Sequence, residues 1–185
     1  VLEYMEVLDR QSSRLKKLIE DLIEASKAST GNLAVNFEEC DIAVILSQAV
    51  GEFEDKMTAR ELTAVVSYPE NSISVKADGR HLWRVFDNLL NNICKYAQSG
   101  TRVYIDVAQR GSVVEIIFKN ISSSQLNISS DELMERFVRG DSSRNTEGSG
   151  LGLSIANSLM ELMNGKMTLD VDGDLFKVTL AFDAE

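Results

Sequence analysis

Arg136 to Ser154 reads RFVRGDSSRNTEGSGLGLS, and its last third decides how the chain is read. Gly148, Gly150 and Gly152 alternate with Ser149, Leu151 and Leu153 directly ahead of Ser154 to Met163, a segment with the pattern of a helix. Glycines before a helix leave backbone N–H groups bare, and the helix N-terminus adds partial positive charge, which together seat a phosphate chain. The spacing is GxGxG, unlike the GxGxxG of a dinucleotide fold, and no GxxxxGK[ST] loop occurs in the chain. Glycine-rich turns before helices are common and most bind nothing. This one gains weight from a second element upstream, residues 88–96.

Composition narrows the classes first. The 185 residues leave room for one sizeable core and an appendage. Against 19 basic residues stand 29 acidic ones, a net charge of -10, which excludes nucleic acid as an expected partner. Cys40 and Cys94 form no CxxC and have no histidine cluster beside them, so the expectation is two reduced thiols in a cytoplasmic domain. No apolar run approaches the ~18 residues of a membrane span, and no signal peptide is visible. The chain lacks an initiator Met and begins inside a helical pattern, which reads as a piece of something longer.

From residue 1 to about 28, apolar residues recur at Val1, Met5, Leu8, Leu15, Ile19 and Leu22, with Ser12 in the one polar slot. That is a heptad seam, widened by Leu18 and Ile23 toward a helical bundle. Glu6–Arg10 and Lys17–Asp21 are (i, i+4) pairs assigned to the outer face. Gly31 is the expected stop. A helix of this kind must pair its stripe with another helix, in another chain.

From Asn32 onward the periodicity changes. Val35–Glu39 reads as a short strand, and Asp41 as the cap of a helix running to about Ala59. Leu62–Tyr68 and Ile73–Lys76 are short β-type runs around a Pro69-Glu70-Asn71 turn. Asp78 caps a helix of about eighteen residues with Leu82, Val85, Phe86, Leu89, Leu90 and Ile93 on one face. Arg102–Ala108 and Val113–Lys119 alternate around Arg110-Gly111, a hairpin signal. Residues 121–147 are polar and too long for a plain connection, which suggests a lid. Strands at Lys166–Val171 and Leu175–Phe182 flank an Asp172-Gly173 turn. The predicted class is α+β, with helices on one face of a mixed, largely antiparallel sheet.

The helix from Asp78 carries Asn88-Leu89-Leu90-Asn91-Asn92-Ile93-Cys94-Lys95-Tyr96. Asn88, Asn92, Lys95 and Tyr96 fall at i, i+4, i+7 and i+8, roughly one face. Amide oxygens suit a hard cation such as Mg²⁺, which keeps waters and takes substrate phosphates as further ligands, and Lys95 offers those phosphates a point charge. For any single Asn, a polar helix edge facing water is the plainer account. For the set, followed by a lid and a glycine-rich turn in this order, it is not.

NLLNNICKY resembles the N box of bacterial sensor histidine kinases, members of the GHKL ATPase superfamily. ELMERFVRGDSSR resembles their F box, and GSGLGLSIA their second glycine box. RLKKLIEDLIEAS, within residues 1–31, resembles the second helix of their dimerisation and phosphotransfer hairpin, which leaves 32–185 as the catalytic ATP-binding domain with its lid at about 121–147. The resemblance covers nearly the whole chain. It implies a Bergerat-type ATP fold, with ATP and Mg²⁺ as cofactors, and with a response regulator receiver domain and a second copy of the chain as partners. It also places the chain on the cytoplasmic side of a membrane-anchored parent.

Carried over residue by residue, the resemblance makes Asn92 the Mg²⁺ ligand, with Asn88 nearby. Lys95 and Tyr96 line the phosphates and the base or ribose side. Arg136 reaches the γ-phosphate, where charge shifts in phosphoryl transfer; Arg139 joins it or is a solvated lid charge. Gly148, Gly150 and Gly152 let the backbone approach the phosphates, and Leu151 and Leu153 pack the lid's base. Two departures stand out. The family's DxGxG box is replaced by Asn120-Ile121-Ser122-Ser123-Ser124, so Asn120 offers adenine an uncharged amide oxygen where the family has a carboxylate, a difference on the order of 1 kcal/mol. A third glycine box is reduced to Asp172-Gly173-Asp174-Leu175-Phe176. Moreover the only histidine, His81, starts the Asn-bearing helix as a surface or helix-start residue and lies in no HExxxP-like sequence. The expected reading is therefore a kinase fragment that binds ATP and does not phosphorylate itself. A degenerate module of the same fold that signals through protein contacts is the alternative. An anti-sigma-factor serine kinase or a gyrase-like ATPase is a third, opposed by the heptad helix.

Overall fold

The computed structural model of the chain describes residues 2–126, 129, 132 and 151–184. The first helix, α1 (Leu2–Ser29), ends where expected. Gly31 takes φ +69°, and the amides of Gly31 and Asn32 turn back to the carbonyls of Ala28 (3.2 Å) and Lys27 (2.9 Å). This is the glycine C-cap in its Schellman form. The seam residues Met5, Leu8, Leu15, Ile19 and Leu22 are all exposed, so none of the described residues covers them.

The next elements are β1 (Glu38–Asp41), α2 (Ile42–Glu52) and α3 (Glu54–Ala59). Two expectations are corrected here. The strand starts at Glu38 and not Val35, because its ladder partner β3 (Ser74–Ala77) ends at Ala77, opposite Glu38. The helix expected to reach Ala59 breaks at Phe53, whose amide turns back to Val50 O (3.0 Å) beside Gly51 while its side chain is buried. Asp41 caps α2 as predicted, accepting from Val44 N (3.2 Å) on one oxygen and from Ser72 Oγ (2.6 Å) on the other.

A five-stranded sheet carries the rest. Its order is β2 (Thr63–Ser67), β4 (Arg102–Arg110), β5 (Val113–Ile121), β7 (Leu175–Asp183), β6 (Lys166–Asp172). Every neighbouring pair is antiparallel except β2 and β4. The β4–β5 hairpin pairs Arg110 with Val113 around Gly111 at φ +63°, as the Arg-Gly signal predicts. Alternation along β4, β5 and β7 sends Val103, Ile105, Val107, Val114, Ile116, Phe118, Phe176, Val178 and Leu180 to one buried face. Onto that face pack α2, α4 (Gly79–Tyr96) and α5 (Gly152–Leu162). Leu82, Val85, Phe86, Leu89, Leu90 and Ile93 of α4 are all buried, and Phe86 meets Phe118 at 5.9 Å between ring centroids.

The start of α4 is held by Asp78. Its Oδ1 accepts from Arg80 N (3.0 Å) and His81 N (3.2 Å), and its Oδ2 from Asn36 N (2.8 Å). Burial opposes the charge of this carboxylate, but the Asn36 and His81 amides, the His81 ring and the Arg80 amide outweigh it and hold the group below the ordinary carboxylate value. Its folded-state pKa thus lies below its unfolded one. The stabilisation is complete above pH ~4, the unfolded value, and is lost as the pH falls through the depressed folded value. D78A is expected to lower stability at neutral pH by about 1–2 kcal/mol, the usual scale of a lost N-cap. Urea midpoints measured against pH check this: wild type should lose its advantage over D78A below about pH 4.

Candidate functional site

Helical spacing and the sheet register together bring Asn88, Asn92, Asn120 and Gly152 to one region of the molecule. Between α4 and the buried face of β5 and β7 runs a closed seam, too narrow for a water molecule, lined by Leu89, Asn92, Ile93, Phe118, Asn120, Phe176 and Val178. It is apolar apart from two amides. A larger open groove of about 450 Å³, lined by Asp41, Val44, Tyr68, Glu70 and Ser72 among others, has none of the candidate site residues read from the sequence.

Asn120 was expected in the turn after the hairpin. It stands instead inside β5, paired with Phe176 of β7, because the strand runs two residues further, to Ile121. Its side chain is 4% exposed, and its Nδ2 donates to Ile121 O over a long 3.3 Å. Tying the amide nitrogen to its own strand leaves Oδ1 as the acceptor the side chain can present.

Asn88 is buried one turn from Asn92, and its Nδ2 has no hydrogen-bond partner among the described residues. An unmet buried amide costs about 1–3 kcal/mol. Its Oδ1 lies against the first residue of α5: a Cβ on Gly152 would approach it to 3.3 Å. Gly152 therefore buys close approach between the glycine-rich segment and the Asn-bearing helix. Leu153 is buried and Leu151 half-buried beneath it. Lys95 and Tyr96, by contrast, sit exposed at the C-terminal end of α4. Arg136, Arg139, Gly148 and Gly150 lie outside the described residues, as does nearly all of the expected lid.

The structure also corrects two polar assignments. His81 is the helix-start residue of the two options read from the sequence, in the first turn of α4, and not a surface one: its side chain is 12% exposed and its Nε2 lies 2.9 Å from Ala34 O. Asp21, assigned to the outer face of α1, is buried and accepts from Arg84 of α4 at 2.8 Å. Arg84 and Asp87 are site-adjacent charges that sequence reasoning missed. Their place at i−4 and i−1 from Asn88 was the only available signal.

As donors, the residues present suit a magnesium nucleotide. Neutral amide oxygens fit a hard cation that keeps waters and phosphates as its other ligands, and an unpartnered amide N–H fits a phosphate oxygen or water. N88L removes an unsatisfied amide at similar volume, so it should raise the urea unfolding free energy by about 1 kcal/mol. A loss of stability would mean that the Nδ2 has a partner.

Comparison with known proteins agrees with this fold. Residues 77–184 match the family described as histidine kinase-, DNA gyrase B- and HSP90-like ATPases. The signal transduction histidine-protein kinase BaeS of Escherichia coli K12 is 34% identical over 162 residues, covering 86% of this chain and 34% of the relative. The probable sensor protein PcoS of Escherichia coli is 32% identical over 190 residues, covering 99% and 40%. The chain thus spans between a third and two fifths of the length of these relatives. Among solved structures, the Acinetobacter baumannii histidine kinase AdeS superposes with a TM-score of 0.81 at 19% identity, covering 98% of this chain and 84% of that one. Full-length ShkA in complex with AMPPNP gives 0.77 at 19% identity (99% and 39%). The histidine kinase ThkA in complex with the response regulator TrrA gives 0.75 at 18% (99% and 51%). At these identities the structures speak for the fold.

Proposed function

The chain belongs to the histidine kinase-, DNA gyrase B- and HSP90-like ATPase family, and on that premise we propose that residues 32–185 form the ATP-binding catalytic part of a sensor histidine kinase. The observation that carries the proposal is the apolar seam with the Asn92 and Asn120 amides, one helical turn from the unpartnered amide of Asn88. In this reading the seam between α4 and the sheet widens to take the base, with its exocyclic amino group donating to Asn120 Oδ1. Asn92 provides an amide oxygen to Mg²⁺, and Asn88 stands beside it. The close approach of Gly152 brings the N-terminus of α5 to the phosphates, where its dipole favours negative charge. Bound Mg²⁺ would neutralise charge on the phosphates. Arg136, Gly148 and Gly150 complete the phosphate site, and the expected lid acts over it from about residue 124 to 147, since Ile121 belongs to β5 and Ser122 and Ser123 are bonded to Asp174 and Tyr96.

The receiving histidine is placed outside this sequence, since the Nε2 of His81 is engaged with Ala34 O. From there the phosphoryl group passes to an aspartate of a response regulator, as the ThkA pairing with TrrA suggests by analogy. Residues 1–31 form the second helix of the dimerisation hairpin. Burying the five exposed seam residues would release on the order of 10 kcal/mol before association costs, which supports a homodimer of the parent chain. Among the described residues no helix is long and apolar enough to cross a membrane. We assign this part to the cytoplasmic side of a membrane-anchored sensor. One observation favours the second reading, a fold that signals without turnover: Asn120 lacks the charge of the family's carboxylate.

Calorimetric titration with ATP or ADP, with and without Mg²⁺, separates the two. Wild type should bind, more tightly with Mg²⁺, and N92A should lose the Mg²⁺ dependence. N120D should bind several-fold more tightly, because a carboxylate strengthens the bond by about 1 kcal/mol, while the free protein loses stability from burying an unpaired charge. Absence of binding at millimolar nucleotide would leave the second reading.

A further inference from the structure

Helix α1 meets the rest of the chain only through its C-terminal third. Its described side chains from Tyr4 to Glu20 are exposed, except for a half-buried Leu18, whereas Asp21 and Ala28 are buried and Glu24 and Ala25 half-buried. This part of α1 packs on α5 and reaches α4 through one guanidinium. Arg84 donates from Nη2 to Asp21 Oδ1 (2.8 Å), from Nε to Glu24 Oε2 (3.0 Å) and from Nη1 to Asp87 Oδ2 (3.0 Å). Exposure of the four side chains is 22%, 8%, 23% and 13%. Burial works against the guanidinium charge, and Glu24, Asp87 and Asp21 hold it protonated.

The cluster continues along α4. Asp87 also accepts from Asn91 Nδ2, at 3.1 Å on Oδ1 and 3.0 Å on its backbone carbonyl. A run of polar bonds therefore extends from α1 through Arg84 and Asp87 to the turn carrying Asn88 and Asn92. The connection after α1 is anchored to the same helix, by Asn36 N on Asp78 and Ala34 O on His81. Between that anchor and the end of α1 lie only residues 30–33.

We propose that Arg84 is a positioning residue, a latch that holds α1 against α4 and α5 and so couples the position of α1 to occupancy of the site between those two helices. The latched helix holds α4 and α5 as a pair. A nucleotide reaching from Asn88 and Asn92 to Gly152 holds the same pair, so each stabilises the state the other prefers. This coupling rests on the nucleotide reading above, whereas the latch itself does not. Removing the cation leaves Asp21, Glu24 and Asp87 facing one another, and their repulsion drives α1 away.

Hydrogen exchange read by mass spectrometry, on the whole chain with and without Mg²⁺ and ADP, tests the proposal. R84Q should speed exchange several-fold in residues 22–37 and leave β4, β5 and β7 as protected as in wild type. D21K/E24K, altered on α1 alone, should do the same even if R84Q folds poorly. R84Q/D21N/E24Q, which removes both stranded charges on α1 and leaves Asp87 with no like charge opposite, should restore protection, and a helper of packing alone would show no such rescue. ADP affinity should fall at least roughly fivefold in R84Q and D21K/E24K and recover in the triple variant. Unchanged exchange in 22–37 for both opening variants, or loss of protection spread through the strands, would overturn the latch. Equal ADP affinity in all the proteins would overturn the coupling. If wild type binds no ADP, the nucleotide reading fails and the coupling with it, and the exchange pattern still decides the latch.

Discussion

One carboxylate sets the phase of the helix on which everything else is arranged. Asp78 takes the first free amides of α4 on one oxygen and the amide of Asn36 on the other. Each residue of a helix turns the face by about 100°, so a start displaced by one residue would rotate all that follows. From this start, Leu82, Val85, Phe86, Leu89, Leu90 and Ile93 point into the core, Asn92 lines the seam with the sheet, Asn88 faces Gly152, and Arg84 reaches α1 with Asp87 bonded behind it. The small β1–β3 ladder reinforces the arrangement, since its two strands end at or beside the caps of α2 and α4.

The site is built at a cost in stability that the core offsets. Asn88 keeps an amide buried without a partner among the described residues, and Asn120 spends its amide on one long bond within its own strand. Neither arrangement is what packing alone would select. Both become intelligible if the missing partners arrive with a ligand. The apolar helices and the five-stranded sheet supply the rigidity that lets these amides stay where they are.

The same helix serves two neighbours. Its N-terminal half, with Asp78, His81 and Arg84, grips the end of α1 and the connection that follows it. Its C-terminal half carries the asparagines. Meanwhile the seam residues of α1 stay exposed among the described residues. A movement imposed on α1 through that seam therefore has a direct mechanical route to α4, through charged contacts that separate more readily than a packed apolar face.

The features legible in the sequence were those set by neighbours in the chain. Gly31 and Gly111 take the positive φ their turns require, Asp41 and Asp78 cap the helices that follow, and alternation marks β4, β5 and β7 because each of these rests on residues a few places apart. The spacing of Asn88 and Asn92 and the glycine run were legible for the same reason, and they carried the family. What required the tertiary structure was every pairing across distance: β1 with β3, β2 parallel to β4, Asn120 within a strand, His81 on Ala34, and Arg84 against Asp21, 63 residues away. A chain with 29 acids and 19 bases offers many partners for each charge, and local pattern carries no term that chooses among them. Only packing of the helices onto one face of the sheet makes that choice, by deciding which side chains lose their water together.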